Sequence, residues 1–215
     1  MQTSETFKLN AILSFSGGLQ DAYTYNVRGN IFANAQTGNI VLMGQNLLQG
    51  NFMVGLRYLL PVLSFACGVF IAEKIEHGLK DSHKVHWRQV ILVVEMIILA
   101  IVGFLPEDIK LFATMMVAFS CAMQVQTFRR VRGYSYSSTM CIGNLRSGTE
   151  SLSRYLRDHD RDSLNQAVFF FAIILVFALG AGIGGILTGY LGIRTIWISV
   201  GILLCALIFM FKETI

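Results

Sequence analysis

The chain has 215 residues, 54% of them hydrophobic and only 14% charged, with a mean hydropathy of +0.58; a soluble domain carries roughly 25% charged residues. The charges fall in patches between long uncharged runs, which excludes an ordinary soluble globular domain. A formal charge of +4 would hint at nucleic acid in a soluble protein, but basic cytoplasmic loops account for it here, and no nucleic-acid partner is expected.

In chain order, Met1–Lys8 lacks the basic-then-apolar pattern of a secretory signal, so the first helix is expected to be retained. The first span is predicted over Leu9–Val27. Gly29–Leu48 then reads as a broken segment: its Asn34, Gln36, Thr37, Gly38 and Asn39 make a poor helix and a good cap, with Thr37 or Asn39 opening a helical run. Val54–Ala72 and Gln89–Leu105 are the next spans, the latter with Glu95 as its single charge. Ile109–Phe128 opens the second half. Gly133–Tyr155 follows, too polar to face lipid along its length, with Ser137, Ser138, Thr139 and the Gly143-Asn144 pair. Ala167–Leu187 and Thr195–Phe211 are uncharged and complete the set. A helix needs about 20 apolar residues to cross about 30 Å of hydrocarbon. The expectation is an all-α integral membrane protein of about six spans in a single domain, with only two prolines.

The halves repeat each other. Phe15-Ser16, Gln20 and Arg28-Gly29 recur as Phe119-Ser120, Gln124 and Arg132-Gly133 at an offset of 104 residues, and Gly38-Asn39 recurs as Gly143-Asn144 at 105. Phe65-Ala66-x-Gly68 matches Phe177-Ala178-x-Gly180, and Trp87-Arg88 matches Ile193-Arg194. Repeats of residues about 9–105 and 109–211, embedded in apolar sequence, are how many transporters are built, with the site where the halves meet.

If the two broken segments dip in and return, Lys8, the Lys74–Arg88 loop, Arg129 to Arg132, Arg146 to Arg161 and Lys212 share one side. Arg28, Arg57, Lys110 and Arg194 are left for the other. This positive-inside bias places both termini in the cytoplasm. Eight spans would split the basic clusters. Three spans per repeat is odd, so the second copy is expected upside down relative to the first.

Non-helical backbone at membrane depth is tolerated only against protein or a water-filled cavity. Helix starts there present free N–H groups and suit a polar or anionic solute. The candidate solute-binding residues are therefore Gln20, Asp21, Asn34, Thr37, Gly38, Asn39, Gln124, Gly143 and Asn144. The bland reading is that Gly-Asn merely caps a surface hairpin and that Asn and Gln bond neighbouring helices. A lone charge at the depth of Glu95 costs at least about 3 kcal/mol. Glu95 and Asp21 have Gly201 and Val125 as repeat partners, and an acid in one copy only is what a coupling-proton site would look like. Their structural alternative is a hydrogen-bonded packing role, or pairing with a buried base such as Arg28 or Arg57.

Cys67, Cys121, Cys141 and Cys205 have no CxxC spacing and read as small packing residues. His77, His83 and His86 share a basic loop at a spacing that suits no metal site. Gly180/Gly184 and Gly185/Gly189 form small-xxx-small ridges for close contact within the fold or across a homodimer. No catalytic motif appears, so neither an enzyme nor a cofactor is expected.

At Gly18-Leu-Gln-Asp21-Ala, Phe32-x-Asn34-x-x-Thr37-Gly38-Asn39-Ile-Val-Leu, Phe119-Ser-x-x-Met123-Gln124 and Phe177-Ala-x-Gly180, the chain resembles the YoaK-like family of small bacterial inner-membrane proteins. The resemblance covers essentially the whole chain. It implies a multi-span protein of the bacterial inner membrane with an acid in the third span, and it adds no substrate. The second half departs from it, with Ile142-Gly143-Asn144 where a second Thr-Gly pair is expected. The first functional expectation is a small-solute carrier or channel-like protein, with proton coupling. The second is a non-transporting module that binds a lipid or partner protein through its basic face.

Overall fold

The computed structural model describes residues 6–80, 86–131 and 134–212. Ser82, His83, Lys84 and the Arg132-Gly133 pair lie outside them. The described residues form eight α-helices: α1 Phe7–Val27, α2 Gln36–Leu48, α3 Phe52–Leu79, α4 Trp87–Val102, α5 Lys110–Thr127, α6 Cys141–Asp158, α7 Arg161–Leu191 and α8 Ile196–Lys212. A two-residue ladder pairs Arg130–Val131 with Tyr134–Ser135 between α5 and α6. Three helical stretches, Phe52–Leu79, Glu107–Thr127 and Arg161–Phe211, are long and apolar enough to cross a membrane, the last containing both α7 and α8. Each of the six stretches read as spans falls on a helix. α3 and α7 overrun their windows, because charged residues such as Glu73, Lys74 and Glu76 are good helix formers once clear of the apolar region, while α4 ends at Val102, short of Leu105.

Helix ends follow local chemistry. Thr6 caps α1 by accepting the Leu9 N–H (3.4 Å). Gly29, at φ +101°, takes the left-handed position just past the end of α1. Asp160 caps α7 through Ser163, whose hydroxyl and amide, with the Asp162 amide, hold its carboxyl below the usual range.

Contacts between helix ends fix their directions. Arg28, at the end of α1, donates to the Val102 and Leu105 carbonyls (both 2.9 Å) and to Pro106 O (3.1 Å) around the end of α4. At the start of α5, the Thr114 hydroxyl donates to Arg28 O (3.1 Å). At the opposite end, Arg129 after α5 pairs with Glu73 (3.3 Å) and Glu76 (3.6 Å) near the end of α3. Phe7 of α1 meets Phe169 of early α7 edge-on, and Asn26 near the end of α1 donates to Thr188 near the end of α7 (2.9 Å). Trp197 at the start of α8 donates to Ala100 O near the end of α4 (3.1 Å). Thus α1, α4 and α7 run one way, and α3, α5 and α8 run the other.

The packing repeats as well. α1 lies on α7 as α5 lies on α3; α2 lies on α3 as α6 lies on α7; α8 meets α1 as α4 meets α5. Gly180 and Gly184 seat against Phe15 and Leu19 of α1, and Gly68 seats against Phe119 of α5. Gly189, by contrast, faces open space. An apolar core of Leu9, Leu13, Leu92, Leu99, Val117 and Leu203 lies between α1, α4, α5 and α8. Outward faces are apolar too, with Phe52, Phe70, Ile97, Phe112, Leu175 and Ile186 exposed. So broad an exposed apolar surface belongs to a membrane protein.

α2 does not extend the bundle. The Asn34 N–H donates to Asp21 Oδ1 (2.8 Å), so the chain after Arg28 turns back along α1 by about 10 Å. The 13 residues of α2 then cover about 20 Å, and Leu47 packs on Gly55 at the start of α3.

Candidate functional site

Two polar features meet at the middle of α1. The first is a buried cluster. Ser16 and Gln20 sit one helical turn apart on one face, and Gln20 Nε2 donates to Ser16 Oγ (3.1 Å) and to Glu95 Oε1 of α4 (3.4 Å). The Cys121 thiol of α5 donates to Gln20 Oε1 (2.9 Å). Glu95 is 0% exposed and its Oε2 has no hydrogen-bond partner among the described residues. Neither Glu95 nor Asp21 forms an ion pair among them, since Arg28 turns away to the end of α4 and to the Tyr23 hydroxyl (2.7 Å).

The second feature is a cavity of about 490 Å³ on the other side of Asp21. One wall is the approach to and start of α2, Asn34, Ala35, Gln36 and Thr37; the facing wall is the start of α6, Thr139, Met140, Cys141 and Ile142, and Phe177 of α7 completes it. The two helix starts therefore face each other, one from each half. Their positive ends and first-turn N–H groups lie beside the cavity. Asn34 and Thr139 are 4% and 6% exposed, and Asn34 Oδ1 and Thr139 Oγ1 have no hydrogen-bond partner among the described residues. Buried polar atoms are normally satisfied, so two unpartnered oxygens on facing walls of one cavity mark it as a place for a polar partner.

Of the candidate residues, Asp21, Asn34 and Thr37 line this cavity. Gln20 lies behind Asp21 in the Glu95 cluster. Gln124 of α5 instead holds the loop before α6, donating to Ser138 Oγ (2.9 Å). Asn39 and Asn144 are clasps: each Nδ2 reaches back seven residues, Asn39 to Phe32 O (2.8 Å) and Asn144 to Ser137 O (2.7 Å), pinning the loop to its helix. Gly38 and Gly143 do not line the cavity and have open space where a Cβ would stand. Gly143 and Asn144 border a second cavity of about 340 Å³, with Gln126, Arg129 and Tyr136, which shares Met140 with the first.

The cavity-lining residues outside the sequence candidates are Ala35, Gln36, Thr139, Met140, Cys141, Ile142 and Phe177. The signal for Thr139 to Ile142 lay in the Ser137-Ser138-Thr139 helix-start pattern, which pointed to this segment without saying which side chains face inward. Among the described residues no group of three or more His, Cys, Asp or Glu is placed to hold a metal ion.

Residues 9–209 match the family described as protein of unknown function, DUF1275. The chain is also 24% identical over 185 residues, 80% of its own length and 80% of the relative's, to the UPF0700 transmembrane protein YoaK of Bacillus subtilis (strain 168). No solved structure matches. With a family match over nearly its full length, the chain belongs to the DUF1275 family of YoaK-like proteins and is an all-helical membrane protein.

Proposed function

We propose that the chain is a small-solute transporter of the bacterial inner membrane, built of two inverted three-helix repeats that share the cavity beside Asp21. The observation that carries this reading is the cavity itself, enclosed by two facing helix starts, one from each half. The opposed directions of corresponding helices and the reciprocal seating of Gly68 on Phe119 and Gly180 on Phe15 support the inversion. In this reading α2 and α6 are half-helices that enter at depth, and α1, α3, α4, α5, α7 and α8 are the spans. Both termini are cytoplasmic, on the side of Arg129 and the α3–α4 loop. A cavity at depth weighs for transport over a module acting only through its basic face, where Arg129 is engaged by Glu73 and Glu76.

Topology gives a direct check. Ser82→Cys is expected to be protected from an impermeant thiol reagent in intact cells, and Asn51→Cys, in the turn between α2 and α3, to be labelled. Labelling of position 82 from outside would discard the arrangement.

In the coupling assignment, Glu95 takes up and releases the driving proton, held by the hydrogen bond from Gln20, the chain neighbour of Asp21 at the cavity. Glu95→Gln keeps the shape and the hydrogen bond from Gln20 while removing titration. Proton-driven flux in vesicles should fall by at least about a hundredfold, the range of a lost proton-transfer group. Abundance and solute exchange should persist. Asp21→Asn is the parallel test and is expected to lose exchange as well as driven flux, because Asp21 lines the cavity. Normal driven flux of Glu95→Gln across the pH range would make that acid structural. An untargeted uptake comparison of knockout and overexpressing cells identifies the solute used in these assays.

A further inference from the structure

The cavity's chemistry is lopsided in a way that narrows the solute. Its acidic wall residue is Asp21, and no Lys, Arg or His is among its lining residues. The positive ends of α2 and α6 would ordinarily invite an anion. Here the Asp21 carboxyl stands beside the start of α2, accepting the Asn34 N–H at 2.8 Å just ahead of the N-cap Ala35, and its negative charge opposes an anion there. The unsatisfied atoms are oxygens. Asn34 Oδ1 can only accept a hydrogen bond, and the Thr139 hydroxyl, without a partner in either role among the described residues, can accept one too. Ala35, Met140, Ile142 and Phe177 give the wall a broad apolar part beside Gln36, Thr37 and Cys141. A carboxylate plus two oxygen acceptors beside an apolar wall is complementary to a donor-rich cation with a hydrocarbon body.

We propose that the cavity binds small primary alkylammonium compounds, the ammonium seated among Asp21, Asn34 Oδ1 and Thr139 Oγ1 and the alkyl part against Phe177, Met140 and Ile142. The three donors of an R–NH₃⁺ group match the three acceptors, and its charge meets Asp21. The Phe177 ring adds the face of an aromatic to the hydrocarbon contact. This assignment rests on the transport reading for its purpose, but binding is measurable without any flux.

The test uses the purified full-length chain in detergent, following its melting temperature against n-butylammonium chloride, sodium butyrate and n-butanol. A ligand that binds the folded state alone raises the melting temperature in a saturable, concentration-dependent way. Butylammonium should do so, and butyrate and butanol should not at matched concentration and ionic strength. Asp21→Asn should raise the midpoint concentration by at least about tenfold, and Thr139→Val by roughly threefold to tenfold, each losing one charge-assisted or neutral hydrogen bond. Thr139→Val is nearly isosteric and carries the test if Asp21→Asn fails to fold. A shift with butyrate but not butylammonium would overturn the assignment in favour of an anion. An unchanged midpoint in both variants, or no shift with any of the three, would overturn it too. In that last case flux by the intact protein in vesicles would leave the transport reading standing. Saturable butylammonium binding without flux of any solute would do the reverse.

Discussion

Arg28→Ala is expected to be the most damaging single substitution in the chain, destabilising the protein by about 3–5 kcal/mol, as loss of one partner from a buried charged network does. Arg28 is 0% exposed, and its guanidinium serves Tyr23 Oη and the carbonyls of Val102, Leu105 and Pro106. Val102 is the last residue of α4, and Leu105 and Pro106 follow it, so the guanidinium lies at the negative end of that helix's dipole. The cation thus closes α4, anchors the end of α1 beside it and, through its own carbonyl, holds the Thr114 hydroxyl of α5. Removing it takes the charged donor from all three carbonyls, of which Val102 O and Pro106 O keep a backbone N–H, from Leu105 (3.2 Å) and Ile109 (3.4 Å); each hydrogen bond left unmade costs about 1–3 kcal/mol. Arg28→Lys is expected to recover only part of the loss, because a single ammonium cannot span the fork. Thermal unfolding of the purified variants and their amount in the membrane check this, and an Arg28→Ala protein melting at the parental temperature would contradict it.

The second large effect is expected at Gly180 and Gly68, and it should be matched in size. A Cβ at Gly180 would collide with the Phe15 carbonyl oxygen, and one at Gly68 with that of Phe119. Backbone cannot yield as a flexible side chain does, so the helices must separate. Alanine at either position should cost about 1–3 kcal/mol, as overpacking does, and valine more. Gly182→Ala and Gly201→Ala are the controls: open space surrounds both, and better helix propensity should stabilise each by up to about 1 kcal/mol. Equal losses at 68 and 180 with gains at 182 and 201, read as melting temperatures, would mark the α1–α7 and α5–α3 contacts as equivalent. Tolerance of valine at 180 would contradict the close crossing.

Phe15 and Phe119, and Gly68 and Gly180, were legible as repeated pairs, and the repeat implied that each pair does the same work in each half. What a repeat cannot say is which partner each member touches. Here the glycine of one half seats on the phenylalanine of the other, which depends on how the halves interlock. The six apolar runs were legible as helices because length and lack of charge suffice for that. Their ends were not, since α3 and α7 continue into charged sequence. The Gly-Asn pairs fall in the first turns of α2 and α6, whose N-caps are Ala35 and Met140 rather than Thr37 or Asn39, and a side-chain amide in a first turn has two uses, toward a ligand or back to its own loop. Asn39 and Asn144 turn back. Arg28 was legible as part of an Arg-Gly pair and as a candidate buried base, but not as the closure of α4, because its carbonyl acceptors are more than seventy residues away. The wall residues Thr139, Met140 and Ile142 are of ordinary type for an apolar protein, and only the facing of α2 and α6 gives them a role.

The claim that everything else rests on is that the cavity between α2 and α6 is a solute site reached in turn from both sides of the membrane. Cys141 is on its wall, while Cys121 is buried in the Gln20 cluster and Cys67 and Cys205 lie elsewhere on the surface. In a Cys67→Ala, Cys205→Ala background, Cys141 is therefore a native reporter. A small, water-soluble, membrane-impermeant thiol reagent should modify it from the outside of right-side-out vesicles and from the inside of inverted ones. The transported solute should slow both reactions. Modification from neither side, with full reaction toward an apolar reagent, would mean a sealed or lipid-filled chamber and would contradict the account.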